Sequence, residues 1–214
     1  MPSSKKSAFK GLKVLITSGP TSVPIDEMRV ITNRSTGEMG RLLAAAFARN
    51  GAAVTLLEGA ATTSVTLPAS VVVNKFYFYA ELAELLRREI CKPYGLIVHV
   101  AAVSDFQLKK PFKGKLASRD KLTLELVPVR KLISGLKAQA GSARLVGFKY
   151  EPDISSSAAI GKATDLIKKE ACDLVVLNEN TARGYRAVIL SADGSMTGMV
   201  HTKAALVDLL LRAL

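Results

Sequence analysis

Short, β-rich apolar runs alternate along this chain with stretches of helical periodicity, and few folds accommodate that order. Residues 12–17 (LKVLIT) form the first run and stop at Ser18-Gly19-Pro20-Thr21, a turn signal. From about Gly37, apolar residues recur at three and four (Met39, Leu42, Leu43, Ala46, Phe47), and Asn50-Gly51 supplies a helix stop. Runs at 53–57, 71–73, 96–102, 145–148 and 174–177 predict further strands; helices are expected over 80–90, 131–140, 158–170 and 203–214. The run 96–102 has almost no polar alternation, as a strand covered on both faces requires. Residues 122–127 alternate cleanly and read as a strand with one exposed face, while 187–190 and 196–200 flank Asp193-Gly194 and predict a hairpin. The expected class is α/β: a Rossmann-like, mostly parallel sheet flanked by helices, with an antiparallel hairpin and a basic flap.

The 214 residues contain no linker long enough to separate two domains. One domain is expected over 11–214, after a flexible basic tail at 1–10 and with a flap at about 104–121. Two cysteines (Cys91, Cys172) argue against a disulfide scaffold or a four-thiolate zinc site, and two histidines (His99, His201) against a histidine-rich metal site. No residue is therefore assigned as a metal ligand. No apolar run reaches the roughly 18 residues of a membrane span, and the start lacks a signal-peptide core. A cytoplasmic location is expected. The net charge of +12 favours anionic partners. Six basic residues (Lys109, Lys110, Lys113, Lys115, Arg119, Lys121) crowd around Pro111 and Gly114; a solvated loop is the plain alternative. Beyond Phe112 this segment lacks the interleaved aromatics of a nucleic-acid platform, so neither nucleic acid nor membrane is expected as a partner.

Ligands of open α/β sheets bind beyond the carboxyl ends of the strands. That rule nominates loops beginning at Ser18-Gly19, at Ala102-Val103-Ser104-Asp105, at Gly147-Phe148-Lys149 and at Asn178-Glu179-Asn180. The dinucleotide fingerprint G-x-G-x-x-G is absent. Instead Ser35-Thr36-Gly37-Glu38-Met39-Gly40 opens a helix, which suits a phosphate; a tight turn with close packing explains the same glycines. Asn33 offers an uncharged amide to a ligand, or an Asx-turn or N-cap to the backbone. Asp105 suits a ribose, a metal-bound water or an amine, or else caps its loop. Phe148 is either a ligand-stacking aromatic or plain core. His99, within an apolar strand, reads as a satisfied core histidine rather than a ligand or base.

Six ordered stretches resemble the phosphopantothenate–cysteine ligase (phosphopantothenoylcysteine synthetase) family of coenzyme A biosynthesis, in its stand-alone form. They are ITSGPT at 16–21 with PID at 24–26, ITNRSTGEMG at 31–40, AAVSDF at 101–106, GKLAS at 114–118, VGFK at 146–149 and DLVVLN at 173–178. The resemblance implies a ligase that joins 4′-phosphopantothenate and L-cysteine. The acid carboxylate attacks the α-phosphate of CTP or ATP, pyrophosphate leaves, and cysteine displaces the nucleoside monophosphate from the acyl-nucleotidylate. It implies Mg²⁺ with the nucleotide, no flavin, and a homodimer. By position, Asn33 would hold the carboxylate and acyl intermediate, and Lys115 would be the flap lysine closing on it. Gly19, Ser35, Gly37 and Gly40 would line the phosphates; Phe148, Lys162, Lys169 and Asn178 would contact the nucleotide; Ala101, Ala102 and Asp105 would border the substrates. Many bacterial members carry lysine where this chain has Glu38, so the charge there is reversed. The alternatives are a Rossmann-type nucleotide-binding oxidoreductase, and a homologue without ligase activity.

Overall fold

The computed structural model describes residues 8–117, 121–182 and 184–214. Most of the expected basic tail, and Ser118, Arg119 and Asp120 at the end of the flap, lie outside the described residues. In chain order the elements are β1 (Lys13–Ser18), β2 (Ser22–Pro24), β3 (Val30–Thr32), α1 (Glu38–Arg49), β4 (Ala53–Glu58), β5 (Val72–Lys75), α2 (Tyr79–Glu89), β6 (Leu96–His99), β7 (Phe106–Leu108), β8 (Leu126–Pro128), α3 (Leu136–Gln139), β9 (Arg144–Tyr150), α4 (Ser157–Glu170), β10 (Leu174–Thr181), β11 (Gly184–Ser191) and α5 (Lys203–Ala213).

Seven strands form the main sheet in the order β5-β4-β1-β6-β9-β10-β11. All neighbours are parallel except β10 and β11. From β1 the chain winds outward through β4 and β5, then returns to place β6 on the other side of β1. The strand order therefore reverses between β1 and β6. Alternate residues of each central strand enter two separate cores. Leu15, Ile97, Leu145 and Val175 face α2, α3 and α4. Val14, Ile16, Val98, Val146 and Val176 face α1 and α5. Because both faces are covered, the strands carry apolar residues at nearly every position.

Helix α1 approaches β1 closely. A Cβ on Gly40 would come within 2.2 Å of Ser18 Oγ, and Gly37 takes φ +73. Both glycines are thus required by packing and turn geometry, whatever else they do.

Several expectations need correction. Helix 131–140 shrinks to α3, because Gly135 adopts φ +83 and breaks the helical path before Leu136. The strand expected at 122–127 begins only at Leu126 and pairs with three-residue β7. Its partner cannot continue past Lys110, since Pro111 has no N–H to offer. Strand 96–102 ends at His99, and Ala102 makes only an isolated bridge to Pro20. The loops expected to begin at Gly147 and Asn178 are strand instead: β9 runs to Tyr150 and β10 to Thr181. The antiparallel hairpin is formed mainly by β10 and β11, whereas residues 196–200 add two isolated bridges to β11. The small hairpin of β2 and β3 was not expected at all.

That hairpin anchors the basic flap. Phe112 N donates to Ile25 O (3.0 Å) and Glu27 N to Gly114 O (3.3 Å). Gly114 N donates to Glu27 Oε1 (3.0 Å) and Leu116 N to Asp26 Oδ2 (3.0 Å). Asp26 is buried and also accepts from Met28 N and Arg29 N (2.9 and 2.7 Å), bonds that hold its carboxyl below the usual carboxylate range.

Candidate active site

The strand ends where the order reverses open into a cleft of about 830 Å³. Gly19, Asn33, Ser35, Gly37, Gly40, Ala101, Ala102, Asp105, Phe148 and Asn178 all line it. These residues come from six elements or loops spread over most of the chain, and the reversal of strand order brings them together.

Two clasps shape the cleft floor. Thr17, buried on β1, accepts a hydrogen bond from Ala101 N (3.1 Å) and lies 3.0 Å from His99 Nδ1. Asn33 Nδ2 donates to Ala102 O (2.9 Å). Asn33 is thus neither an N-cap nor an Asx-turn: the cap position of α1 is Gly37, without a side-chain cap. One amide proton and the carbonyl oxygen of Asn33 remain for a ligand. Together the clasps fix the Ala101–Ala102 segment on both sides.

On the α1 side, Ser18 Oγ donates to Gly37 O (2.9 Å) and ties the end of β1 to the turn that opens the helix. The first backbone N–H groups of a helix have no partner within it, so this end of α1 is polarised for an anion. Glu38 would oppose one, but Lys203 at the start of α5 pairs with its carboxylate. Both side chains line the cleft. The Glu38 carboxylate is thus offset by a lysine from α5. Lys203 Nζ also stands 6.0 Å from the ring centroid of Tyr185, whose hydroxyl oxygen is enclosed without a protein partner among the described residues.

Three nominated lysines do not line this cleft. Lys162 Nζ pairs with Glu151 at 2.7 Å; Glu151 also holds Lys149, a cleft residue, at 3.3 Å, so Lys162 stands one ion pair behind the wall. Lys169 pairs with Asp165 on the exposed face of α4 (3.0 Å). Lys115 is exposed in the flap, beside Gly114 and Leu116, which are bonded to the 26–27 turn. Sequence reasoning overlooked Arg34, Lys131, Tyr185 and Lys203, which also line the cleft. Only the fold could reveal Lys203, because its pairing partner lies 165 residues away.

Glu58 ends the second strand of the unit, where a dinucleotide fold places its ribose-binding acid. Here it is fully buried and held by Arg41 and Lys75, which outweigh desolvation and keep its carboxyl below the usual range. It does not line the cleft. The side chain that a dinucleotide site would use is committed to holding α1 and β5 to β4.

The DNA/pantothenate metabolism flavoprotein C-terminal domain family matches residues 9–208. The chain belongs to this family. Among curated relatives, the coenzyme A biosynthesis bifunctional protein CoaBC of Thermococcus kodakarensis is 37% identical over 180 residues, covering 83% of this chain and 43% of the relative. The CoaBC of Methanocaldococcus jannaschii is 31% identical over 172 residues, covering 79% and 41%. The chain thus spans less than half the length of these two relatives. Among solved structures, the DNA/pantothenate metabolism flavoprotein from Streptococcus pneumoniae superposes with a TM-score of 0.84 at 24% identity, covering 94% of this chain and 97% of that one. A Cab2 mutant in complex with phosphopantothenate-cysteine superposes with a TM-score of 0.77 at 20% identity, covering 98% and 87%. Both have the fold described above.

Burial pushes the His99 imidazole pKa down to about 4 from 6.5. The unfolded chain therefore takes up a proton as pH falls through 6.5, whereas the folded chain does so only near 4. The sign is a loss of stability on acidification across that window, on the order of 3 kcal/mol in full. Urea unfolding at about pH 7, 6 and 5 is expected to show this decline, and His99→Gln to flatten it. A wild-type stability that is level across the window would contradict the assignment.

Proposed function

We propose that this domain is a phosphopantothenate–cysteine ligase: it activates the carboxylate of 4′-phosphopantothenate with a nucleoside triphosphate and passes the acyl group to L-cysteine. The observation that carries the reading is the Asn33–Ala102 bond, which joins the helix-opening turn to the Ala101–Ala102 wall in a single cleft. An anion-favouring helix end and an uncharged amide then face one ligand. The cousins called CoaBC and the solved complex with phosphopantothenate-cysteine agree with this substrate class.

The first step brings a carboxylate to a polyanion, so positive charge must lie ahead of it. Arg34, Lys131, Lys149 and Lys203 line the cleft against the acids Glu38 and Asp105. In the proposed complex the α1 end and Lys203 face the phosphates. Asn33 offers its remaining N–H to the carboxylate without repelling it, and the flap around Lys115 excludes water from the acyl-nucleotidylate. Cysteine nitrogen then bonds the acyl carbon as the carbon–oxygen bond to the nucleotide breaks, and the nucleoside monophosphate leaves with that oxygen. Mg²⁺ would arrive with the triphosphate and reduce its charge. Asp105, an unpaired carboxylate among the described cleft residues, is the side chain with the oxygen donors to help hold it. CTP is the expected nucleotide, with ATP as the alternative.

Incubation with 4′-phosphopantothenate, L-cysteine, Mg²⁺ and each nucleoside triphosphate in turn, with pyrophosphate followed, tests the reading. Acid-dependent pyrophosphate release is expected, fastest with CTP; none with any triphosphate would favour a family member without ligase activity. In the same assay Asn33→Asp should lose on the order of a hundredfold in rate, through carboxylate repulsion and a lost donor. Lys115→Gln should fall far more than Lys109→Gln, because Lys109 is occupied by an exposed pair with Glu125 (2.7 Å). Equal, mild effects of the two lysine changes would remove the flap role from Lys115.

We also infer that the protein is a homodimer through the two small hairpins. Met28, Val30, Ile31, Phe106 and Leu126 are exposed on β2–β3 and β7–β8, and β2 packs against β7. Such a cluster of exposed apolar side chains fits a second copy of the same surface. Light scattering should return twice the chain mass for the wild type and the chain mass for Phe106→Asp. A monomeric wild type at micromolar concentration would contradict the inference.

A further inference from the structure

His99 is 8% exposed and lines the cleft at the point of strand reversal. Its ring is only half accounted for by the protein. Thr17 Oγ1 already accepts from Ala101 N, and the hydroxyl proton of this buried residue has one acceptor within reach among the described residues, His99 Nδ1. A buried hydroxyl left without an acceptor is unfavourable, so Thr17 donates to Nδ1. The neutral ring then carries its proton on Nε2. Among the described buried side-chain nitrogens and oxygens, Tyr185 Oη alone is both enclosed and unpartnered. His99 Nε2, with no protein partner among the described residues, therefore opens onto the cleft.

Its position selects what it meets. Thr17 and Ser18 point to opposite faces of the sheet: Ser18 bonds the helix-opening turn on the α1 face, and Thr17 holds His99 on the face of α2, α3 and α4. His99 shares its clasp with Ala101, whose neighbour Ala102 is bonded to Asn33. Val103, Leu132, Ile133 and Leu166 line the cleft and pack on the core of that same face. The Nε2 hydrogen thus meets the cleft among these apolar side chains, in the same cleft as the Asn33 amide proposed to meet the carboxylate. We propose that His99 is a neutral hydrogen-bond donor to the substrate acid, its Nε2–H meeting an acyl oxygen of the acid and of its activated form. The inference rests on the ligase reading above.

The arrangement suits a donor and excludes a base. Nδ1 is already an acceptor for Thr17, Nε2 carries the proton, and burial keeps the ring uncharged at neutral pH. When the cysteine nitrogen attacks the acyl carbon, negative charge grows on the acyl oxygen. A fixed donor in an apolar lobe stabilises that charge more than water does, and adds no positive charge beside the attacking amine.

Nitrogen NMR of the wild-type chain, titrated with 4′-phosphopantothenate alone, gives one test. His99 should show a protonated Nε2 whose resonance moves as the acid saturates. Steady-state kinetics of His99→Leu and His99→Gln give the other. The leucine variant should lose roughly tenfold to a hundredfold in kcat. The glutamine variant should recover most of that loss, because its side-chain amide nitrogen can occupy the place of Nε2. The pH–rate profiles of wild type and both variants should share one shape, since no titration of His99 enters the reaction. An unmoved Nε2 resonance at saturating acid, a leucine variant within about threefold of wild type, or loss of an acidic limb on substitution would each overturn the proposal. If the leucine variant fails to fold, the titration decides. Acid binding that shifts Nε2 without any pyrophosphate release would defeat the ligase reading and leave the donor role intact.

Discussion

A parallel sheet with apolar residues on both faces must be covered twice, and everything else in this structure follows from that. Helices α1 and α5 cover one face while α2, α3 and α4 cover the other. The faces are thereby occupied by packing, and the carboxyl ends of the strands are left to bind. The change of direction between β1 and β6 then parts the connecting segments and opens the cleft at that point. Local details serve the same constraint. Gly40 lets α1 lie against Ser18, and the buried Glu58 ties α1 and β5 to β4 through Arg41 and Lys75.

Charge is arranged around the opening rather than spread evenly. An excess of twelve positive charges is a large field for a chain of this size. Part of it is neutralised locally, as in the Lys137–Asp173 pair at 2.7 Å and the two lysines that share Glu151. In the cleft the balance stays positive, four cations against two acids among the described residues. Glu38 does not change this, because Lys203 pairs with its carboxylate from the last helix. A charge that looks adverse to an anion in the sequence is offset by a neighbour that only the folded chain supplies.

Much of this was legible in the sequence. Strand β1, helix α1 and strand β4 were legible because each is long enough to show its own period and ends at a strong signal such as Asn50-Gly51. The loop at Ala102 and Phe148 were legible because ligands of such sheets gather at strand ends, Asn33 because it precedes the glycine turn, and Ala101 through the family resemblance; all of them line the cleft. Failures arose where tertiary contacts overrode a local pattern. Residues 178–181 look like a polar loop, yet they continue β10, since buried Glu179 takes Arg186 (2.6 Å) and Ile154 N (2.9 Å) as partners. Residues 122–125 alternate like a strand but, among the described residues, lack a neighbour to pair with beyond Lys109. The hairpin of β2 and β3 is too short for any periodicity, and Lys203 carries no local mark of its role. His99 was read as a satisfied core residue; half of its ring is satisfied, by Thr17, and the other half faces the cleft.

In the proposed reaction one cleft first joins a carboxylate to a nucleotide and then releases the acyl group to an amine. Oxygen bookkeeping tests it directly. If the carboxylate of 4′-phosphopantothenate is labelled with heavy oxygen, attack on the α-phosphate places one labelled oxygen between carbon and phosphorus. Cysteine then breaks the carbon–oxygen bond, so that oxygen must leave on the nucleoside monophosphate. Mass spectrometry of the products after turnover should find one heavy oxygen in the monophosphate and none in pyrophosphate. Label in inorganic phosphate, or a monophosphate without label, would mean that the acid is activated by another route and would contradict the account.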